Sequence, residues 1–325
     1  MIEIISSDDF FELQSKFKQV PFTQSKGWYK YLKAQGKKVV FFTNDKSNDV
    51  RLLFFATTRT LPVVNKTILF IDGEVYKDDL SEKVFKKSFF ALKALGYSGI
   101  EINSNNPYIV EYEIGIRRAG YIRPLGSFSC PLTIDVDLSK APNFSSPWTR
   151  DVKKAVKNEL EFSEVIKLSD EIVDEVVEVF CEMADLKKLN YKLESISLKS
   201  LLQSEDIRLF VVQDANGKIL SARIIHVSYP FSSDIFAANS ITSRSCGAAY
   251  FIMQNIFEIL HEEGFKHFDF GRIPPSDHAT DNIYQFKSLT GDSIQYNGNW
   301  SFYENKWLEF LMFCFKNFKL KLQRY

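Results

Sequence analysis

Two short segments of the chain carry residue types and spacings suited to gripping phosphate. In RSCGAA, Arg244 to Ala249, a cation is followed by glycine and two alanines where a strand-like run gives way to a helical one. Small side chains at Gly247, Ala248 and Ala249 would let an anion approach the unpaired N–H groups of the helix's first turn. Arg244, Gly247 and Ala248 are therefore candidate phosphate-binding residues; the competing reading is that glycine and alanine there only permit close packing of helix on sheet. In RDVKKAVKN, Arg150, Lys153, Lys154 and Lys157 recur at spacings of three and four. That places them on one helical face, where they could converge on phosphates, although a solvated positive face has the same pattern. Chemistry through a covalent enzyme intermediate is not indicated: there is no GxSxG, and none of Cys130, Cys181, Cys246 and Cys314 comes with a persuasive histidine partner. With four histidines, no HExxH and no CxxC, a metal site has little support either. His261 and His267 flank a helix end and a strand start, while His278 lies in a polar loop close to the segments that matter most below.

These segments need a frame to hold them. The first half reads as a helix at Ser25 to Gln35, then strand-like runs KKVVFFT, VRLLFFATT and KTILFID, a helix from Ser81 to Leu95 stopped by Gly96, the strand YSGIEIN, a helix from Pro107 to Ala119, and a closing strand LTIDVDL. The second half repeats the order: a basic helix near Trp148 to Asn158, a strand FSEVIK, and a long helix from Ser169 with Ile172, Val173, Val176, Val177 and Phe180 on one face. RLFVVQ and KILSARIIHV then form a hairpin through Asp214 to Gly217, followed by DIFAANS, a helix from Ala248 to Glu263, and HFDFG. Two similar α/β units with mixed sheets, in tandem, explain this order. Proline, serine and asparagine in SKAPNFSSP, Ser139 to Pro147, break both periodicities. The expected division is 1–145, 146–303 with the donor site, and a basic amphipathic helix over 304–325.

Downstream of RSCGAA runs HFDFGRIPPSDHATDNIYQFKSLTGDSIQYNGNW. Its Asp269, Phe270, Gly271, Arg272, Phe286, Lys287, Gly291, Tyr296 and Gly298 match a pattern of strand, loop, Phe-Lys, glycine turn and aromatic-rich strand that closes the FemABX proteins. The chain resembles these aminoacyltransferases, which modify bacterial cell-envelope precursors and belong to the acetyltransferase (GNAT) superfamily. TIDVDLS followed by RDVKKAVKN, and FTQSKGWYKYLK with Gln24, Ser25 and Trp28, parallel the same family, so the resemblance spans nearly the whole chain. RSCGAA also fits the pattern by which acetyltransferases hold a pyrophosphate. The coiled-coil arm of some members has no counterpart here. The family often places lysine four residues after the tryptophan, where this chain has Leu32, with Lys33 one position on.

The resemblance implies two tandem GNAT-like domains and transfer of an acyl or aminoacyl group to an amine. It implies that Lys287 holds a donor phosphate or stabilises the oxyanion, with Phe286 beside it. Asp269 would orient the attacking amine or accept its proton, or else only cap the following loop. Lys33, Arg150, Lys153, Lys157 and Arg272 would meet the diphosphate of a nucleotide-linked or lipid-linked envelope precursor. No tightly bound cofactor is expected; the donor substrate is acyl-CoA, which RSCGAA favours, or aminoacyl-tRNA, which the whole-chain resemblance favours. A non-catalytic binding module in envelope-polysaccharide assembly is the alternative from another class.

Bulk properties bound these readings. With 325 residues, 45% of them apolar and 30 of them phenylalanine, a large core is assured. Lys plus Arg and Asp plus Glu balance at 41 each, so any affinity for tRNA or anionic lipid must be local. The amino terminus has acids where an export signal needs a basic start, so a cytoplasmic protein is expected. KWLEFLMFCFKNFKLKLQRY is too short in apolar residues to span a bilayer, which takes about 20. As a basic amphipathic helix it could lie on the inner face of the membrane, or pack on the domain.

Overall fold

The computed structural model describes residues 2–45, 49–61, 64–124, 131–187, 192–273 and 282–323, with the backbone alone at 282 and 317–323. His278 lies outside them. In chain order the elements are β1 (Glu3–Ile5), α1 (Ser7–Gln14), a 3-10 turn (Phe22–Gln24), α2 (Lys26–Ala34), β2 (Val39–Thr43), β3 (Leu52–Leu61), β4 (Lys66–Asp72), β5 (Val75–Tyr76), α3 (Glu82–Lys93), β6 (Gly99–Pro107), α4 (Val110–Arg118) and β7 (Leu132–Asp137). There follow α5 (Ser146–Lys157), β8 (Glu161–Glu164), α6 (Asp170–Leu186), α7 (Ser195–Leu202), β9 (Ile207–Gln213), β10 (Ile219–Ser228), β11 (Phe231–Asn239), α8 (Ser243–Cys246), α9 (Ala248–Glu262), β12 (His267–Asp269), α10 (Asn282–Ser288), β13 (Asp292–Tyr303) and α11 (Lys306–Gln323).

The chain forms two compact units: residues 1–25, 36–132 and 294–325, and residues 26–35 and 133–293. In the first, strand order is β1-β2-β3-β4-β6-β13, antiparallel except for the parallel pair β4/β6. The second has the order β8-β9-β10-β11-β12-β7, again antiparallel except for one parallel pair, β11/β12. In each, the parallel pair is joined by a crossover that carries a helix, α3 or α9. The mixed α/β architecture and its doubling are those read from the sequence.

The division along the chain differs from the expected cuts at 146 and 303. LTIDVDL does form a strand, but it pairs with β12, setting Asp137 against His267 and Asp135 against Asp269. The last strand of the first unit comes instead from the far end of the chain, where β13 pairs with β6 and sets Tyr303 against Gly99. Helix α2 also belongs to the second unit, where Gly27 lies so close to Ile207 that a Cβ would come within 2.5 Å of its Cγ1. Apolar alternation makes a strand legible but does not name its partner. The tail does not stand apart either: Leu308 and Met312 of α11 are buried with Ile68 of β4, and Lys316 pairs with Glu101 at 2.8 Å. Its other side leaves Trp307 and Phe310 exposed. Among the described residues no helix is long and apolar enough to cross a membrane.

In the second unit the sheet separates two cores. On one face α2, α6 and α7 bury Tyr31, Val176, Phe180 and Leu198 against Leu209, Ala222 and Ile224. On the other, α5 and α9 bury Trp148, Ile252, Ile256 and Phe257 against Phe210, Ile225 and Phe268. Helix α6 starts where Ser169 accepts a hydrogen bond from Ile172 N at 3.3 Å and two acids occupy the first turn, as its capping sequence requires.

Candidate functional site

The second unit's sheet opens between β11 and β12. The two strands pair in parallel only from Phe231/His267 to Ser233/Asp269, while β11 runs on to Asn239. A bulge accompanies the parting: on the β10 side the register jumps between Ile224/Phe236 and Ile225/Asp234, leaving Ile235 as the extra residue. Such a bulge twists a strand away from its neighbour and re-aims the side chains around it.

Lys287 sits where the strands part. Its Nζ donates to Phe270 O at 2.9 Å, just past the end of β12, and lies 5.0 Å from the Phe270 ring centroid. The side chain is only 13% exposed and its ammonium is 4.0 Å from Asp234 Oδ2. Burial pulls its pKa below the usual lysine value, and the Asp234 carboxylate opposes that shift. Local structure fixes the side chain from behind. Lys287 O accepts from Thr290 Oγ1 at 2.7 Å, and Gly291 passes so close to β7 that a Cβ would come within 2.7 Å of the Asp135 carbonyl carbon.

Asp234 in turn is bound to Arg223 of β10, Nη1 to Oδ2 at 2.8 Å, with both side chains almost wholly buried. Sequence reasoning missed this pair. The signal was there: Arg223 and Asp234 stand in β10 and β11, strands with no other Lys, Arg, Asp or Glu, on either side of a tight hairpin at Tyr229-Pro230.

Asp269, grouped with Lys287 in the sequence reading, also holds the turn that follows β12. Its Oδ1 accepts from Gly271 N at 2.7 Å and from Thr133 Oγ1, and Gly271 has φ +72°. These contacts shape the turn that presents Phe270 O to Lys287. In register Asp269 faces Asp135, whose Oδ2 lies 3.0 Å from His267 Nδ1. Burial raises the Asp135 pKa, against the pull of His267.

The segment from Arg244 to Ala249 spans the end of α8 and the start of α9, with Gly247 between them left-handed at φ +79°. Gly247 is packed closely against helix α5. A Cβ on Gly247 would overlap the Asp151 carbonyl and come within 2.9 Å of its carbon, so helix α5 lies directly on this turn. The nearby loop N–H groups are also taken: Ile241 N donates to Glu182 Oε1 at 2.7 Å and Ser243 N to Ser240 Oγ at 3.1 Å. Ala248 is buried, whereas Arg244 is exposed. Phe286 likewise packs, stacking on Trp148 at 5.1 Å and meeting Tyr250 edge-on at 4.9 Å, which ties α10 to α5 and α9.

Helix α5 carries the expected basic face. Arg150, Lys153 and Lys157 are exposed, Lys154 pairs with Asp151, and Trp148 and Ala155 are buried on the opposite side. Ser145 caps its start by accepting from Trp148 N at 3.5 Å, with Pro147 in the first turn. Lys33 is exposed on α2, 6.0 Å from the Tyr29 ring, and Arg272 is exposed in the loop after β12. The opening Gln24 is structural. Fully buried in the first unit, it donates to Phe55 O at 3.1 Å and Asp72 O at 2.9 Å and accepts from Phe55 N at 2.7 Å.

No protein-family model and no curated protein matches the sequence. Solved structures do match the fold over nearly the whole chain. FemX aligns with a TM-score of 0.75 at 13% identity, covering 96% of this chain and 100% of its own. L-PGS from Bacillus licheniformis aligns at 0.63 and 14% identity, covering 94% of each chain. A tandem GNAT protein from the clavulanic acid biosynthesis pathway aligns at 0.53 and 9% identity, covering 94% of this chain and 99% of that one. The chain therefore has the fold of FemX, two GNAT-like units in tandem.

Proposed function

We propose that the protein moves an activated acyl or aminoacyl group onto an amine, by direct attack and without a covalent enzyme intermediate. The observation that carries this reading is the mostly buried Lys287 ammonium, 13% exposed, at the parting of β11 and β12. An ester or thioester donor laid along the free edge of β11 could hydrogen-bond to its backbone as an added strand does. When an amine attacks the donor carbonyl, a C–N bond forms and negative charge develops on the oxygen; as the carbonyl reforms, the C–O or C–S bond breaks, and the departing tRNA hydroxyl or CoA thiol takes up a proton as the amine loses one. A fixed cation in a desolvated site stabilises that charge more in the transition state than in the ground state. Lysine has three N–H donors; Phe270 O takes one of them.

The acceptor in this reading is a nucleotide-linked or lipid-linked envelope precursor, its phosphates met by Arg150, Lys153 and Lys157, with Arg272 and Lys33 as further contacts. The exposed basic face of α5 supports it. Of the two donors, the loop geometry favours aminoacyl-tRNA over acyl-CoA. Helix α5 fills the space beside Gly247, and Gly247 N already donates to Ser243 O within the turn. Exposed Trp307 and Phe310 on α11 support a peripheral membrane contact for a cytoplasmic enzyme.

The test is Lys287→Met, which keeps the stem's apolar packing. Single-turnover transfer should fall about 10²-fold or more, the scale seen when one oxyanion donor is lost, with an unchanged melting temperature at neutral pH. A variant that reacts normally but melts early would make Lys287 structural. Calorimetry with acetyl-CoA beside filter binding with charged tRNA decides the donor, and binding of neither would leave the fold as a scaffold.

A further inference from the structure

Arg223 and Asp234 form an ion pair with side chains 4% and 6% exposed, in the middle of β10 and β11. Apolar residues of like volume would hold two strands together at least as well, because taking both charges out of water offsets most of their attraction. Stability alone therefore does not explain the pair. Its geometry does: Asp234 Oδ2 lies 2.8 Å from Arg223 and 4.0 Å from Lys287. The second carboxylate oxygen, Oδ1, and Arg223 Nε have no protein partner among the described residues.

We infer that Asp234, braced by Arg223, is a positioning residue that keeps Lys287 protonated and aimed at the parting of β11 and β12. The inference rests on the acyl-transfer reading above. Taken together, the two cations and one anion carry a net charge of one positive unit in a site largely removed from water. That balance suits a substrate that is neutral before reaction and singly negative at its carbonyl oxygen during it. The groups acting on Lys287 are Asp234 and Asp269, which favour its charged form, and Arg223 and Lys187, which disfavour it. Phe270 O accepts one of its hydrogens. Asp234 is the largest of the charge effects and opposes the cost of burial. Without it an ammonium facing a buried guanidinium would give up its proton more readily and lose its fixed direction.

The experiment is single-turnover transfer against pH for four proteins: wild type, Lys287→Met, Asp234→Asn, and Arg223→Met/Asp234→Asn. The double variant removes both charges of the pair and so guards against misfolding from an unpaired buried arginine. In the wild type the rate should fall on an alkaline limb that Lys287→Met abolishes. In Asp234→Asn that limb should move down by roughly one to three pH units, the range expected from losing a unit charge at such a distance; in the double variant it should move down by less, because the opposing Arg223 charge is lost as well. An alkaline limb that stays in place in both would overturn the inference while leaving the function standing. A gain of rate at low pH would overturn it too, by making Lys287 a neutral base. If Lys287→Met itself retains the wild-type rate, the acyl-transfer reading fails instead.

Discussion

Replacing Gly247 by alanine separates the two roles its segment could play. If the turn existed to admit phosphate, one methyl group would chiefly obstruct a ligand; in the structure it obstructs helix α5. The added Cβ would lie 2.9 Å from the Asp151 carbonyl carbon, against a comfortable carbon–carbon separation of about 3.5 Å or more. The backbone of α5 must therefore retreat by at least roughly 0.6 Å, dragging Trp148 and Ala155 out of their packing. Overpacking of this kind costs about 1–3 kcal/mol, and a left-handed alanine at φ +79° adds about 1 kcal/mol. Gly217 supplies the control in the same unit: it has φ +80° and nothing within 4 Å of the added methyl, so Gly217→Ala should show the conformational cost alone. Urea unfolding should place Gly247→Ala about 2–4 kcal/mol below wild type and Gly217→Ala about 1 kcal/mol below it. Equal losses in the two variants would refute the packing argument and return the turn to ligand binding.

Two further outcomes test the frame. His226 is buried beside Asp206, with Nε2 3.8 Å from Oδ2, and burial holds its pKa down at about 4 despite that carboxylate. Between pH 6.5 and 4 the unfolded chain takes up a proton that the folded chain refuses, so stability falls as pH drops through that window, by about 3 kcal/mol from this group. His226→Leu should flatten that part of the profile of urea midpoints; an unchanged slope would place the acid sensitivity elsewhere. Gln24→Ala removes three hydrogen bonds that a buried side chain makes to the backbone at Phe55 and Asp72. It should destabilise the protein by about 2–4 kcal/mol in the same assay, whereas a loss of activity with full stability would restore a functional reading of the opening motif.

Elements were legible where the signal is local. The strand over Lys66 to Asp72 and the helix closed by Gly264 follow from apolar spacing and a glycine at φ +87°, and neither needs a partner to be recognised. Lys287 was singled out through its motif, and the sequence reading named Asp269, eighteen positions away, beside it as catalytic. Its electrostatic partner is Asp234, which lies much further off in sequence and is brought close by the parting strands. RSCGAA is ambiguous for a related reason. A glycine that admits an anion and a glycine that admits another helix leave the same trace in one sequence, and only the position of the Asp151 carbonyl distinguishes them.

The exchange of closing strands carries the same logic to the level of the units. Cut at 146 and 303, as composition suggests, the second unit would lose β7 and with it Ile134, Val136 and Leu138, all buried in the core against α5 and α9. It would lose Tyr31 from the opposite core as well. Each such side chain contributes about 1.5–3 kcal/mol through burial, so the loss is comparable with the whole stability of an ordinary domain. The cut would also bare the edge of β12 and free Asp269 from Thr133, loosening the turn that offers Phe270 O to Lys287. The strand that the first half of the sequence supplies is thus part of what holds the candidate site in shape.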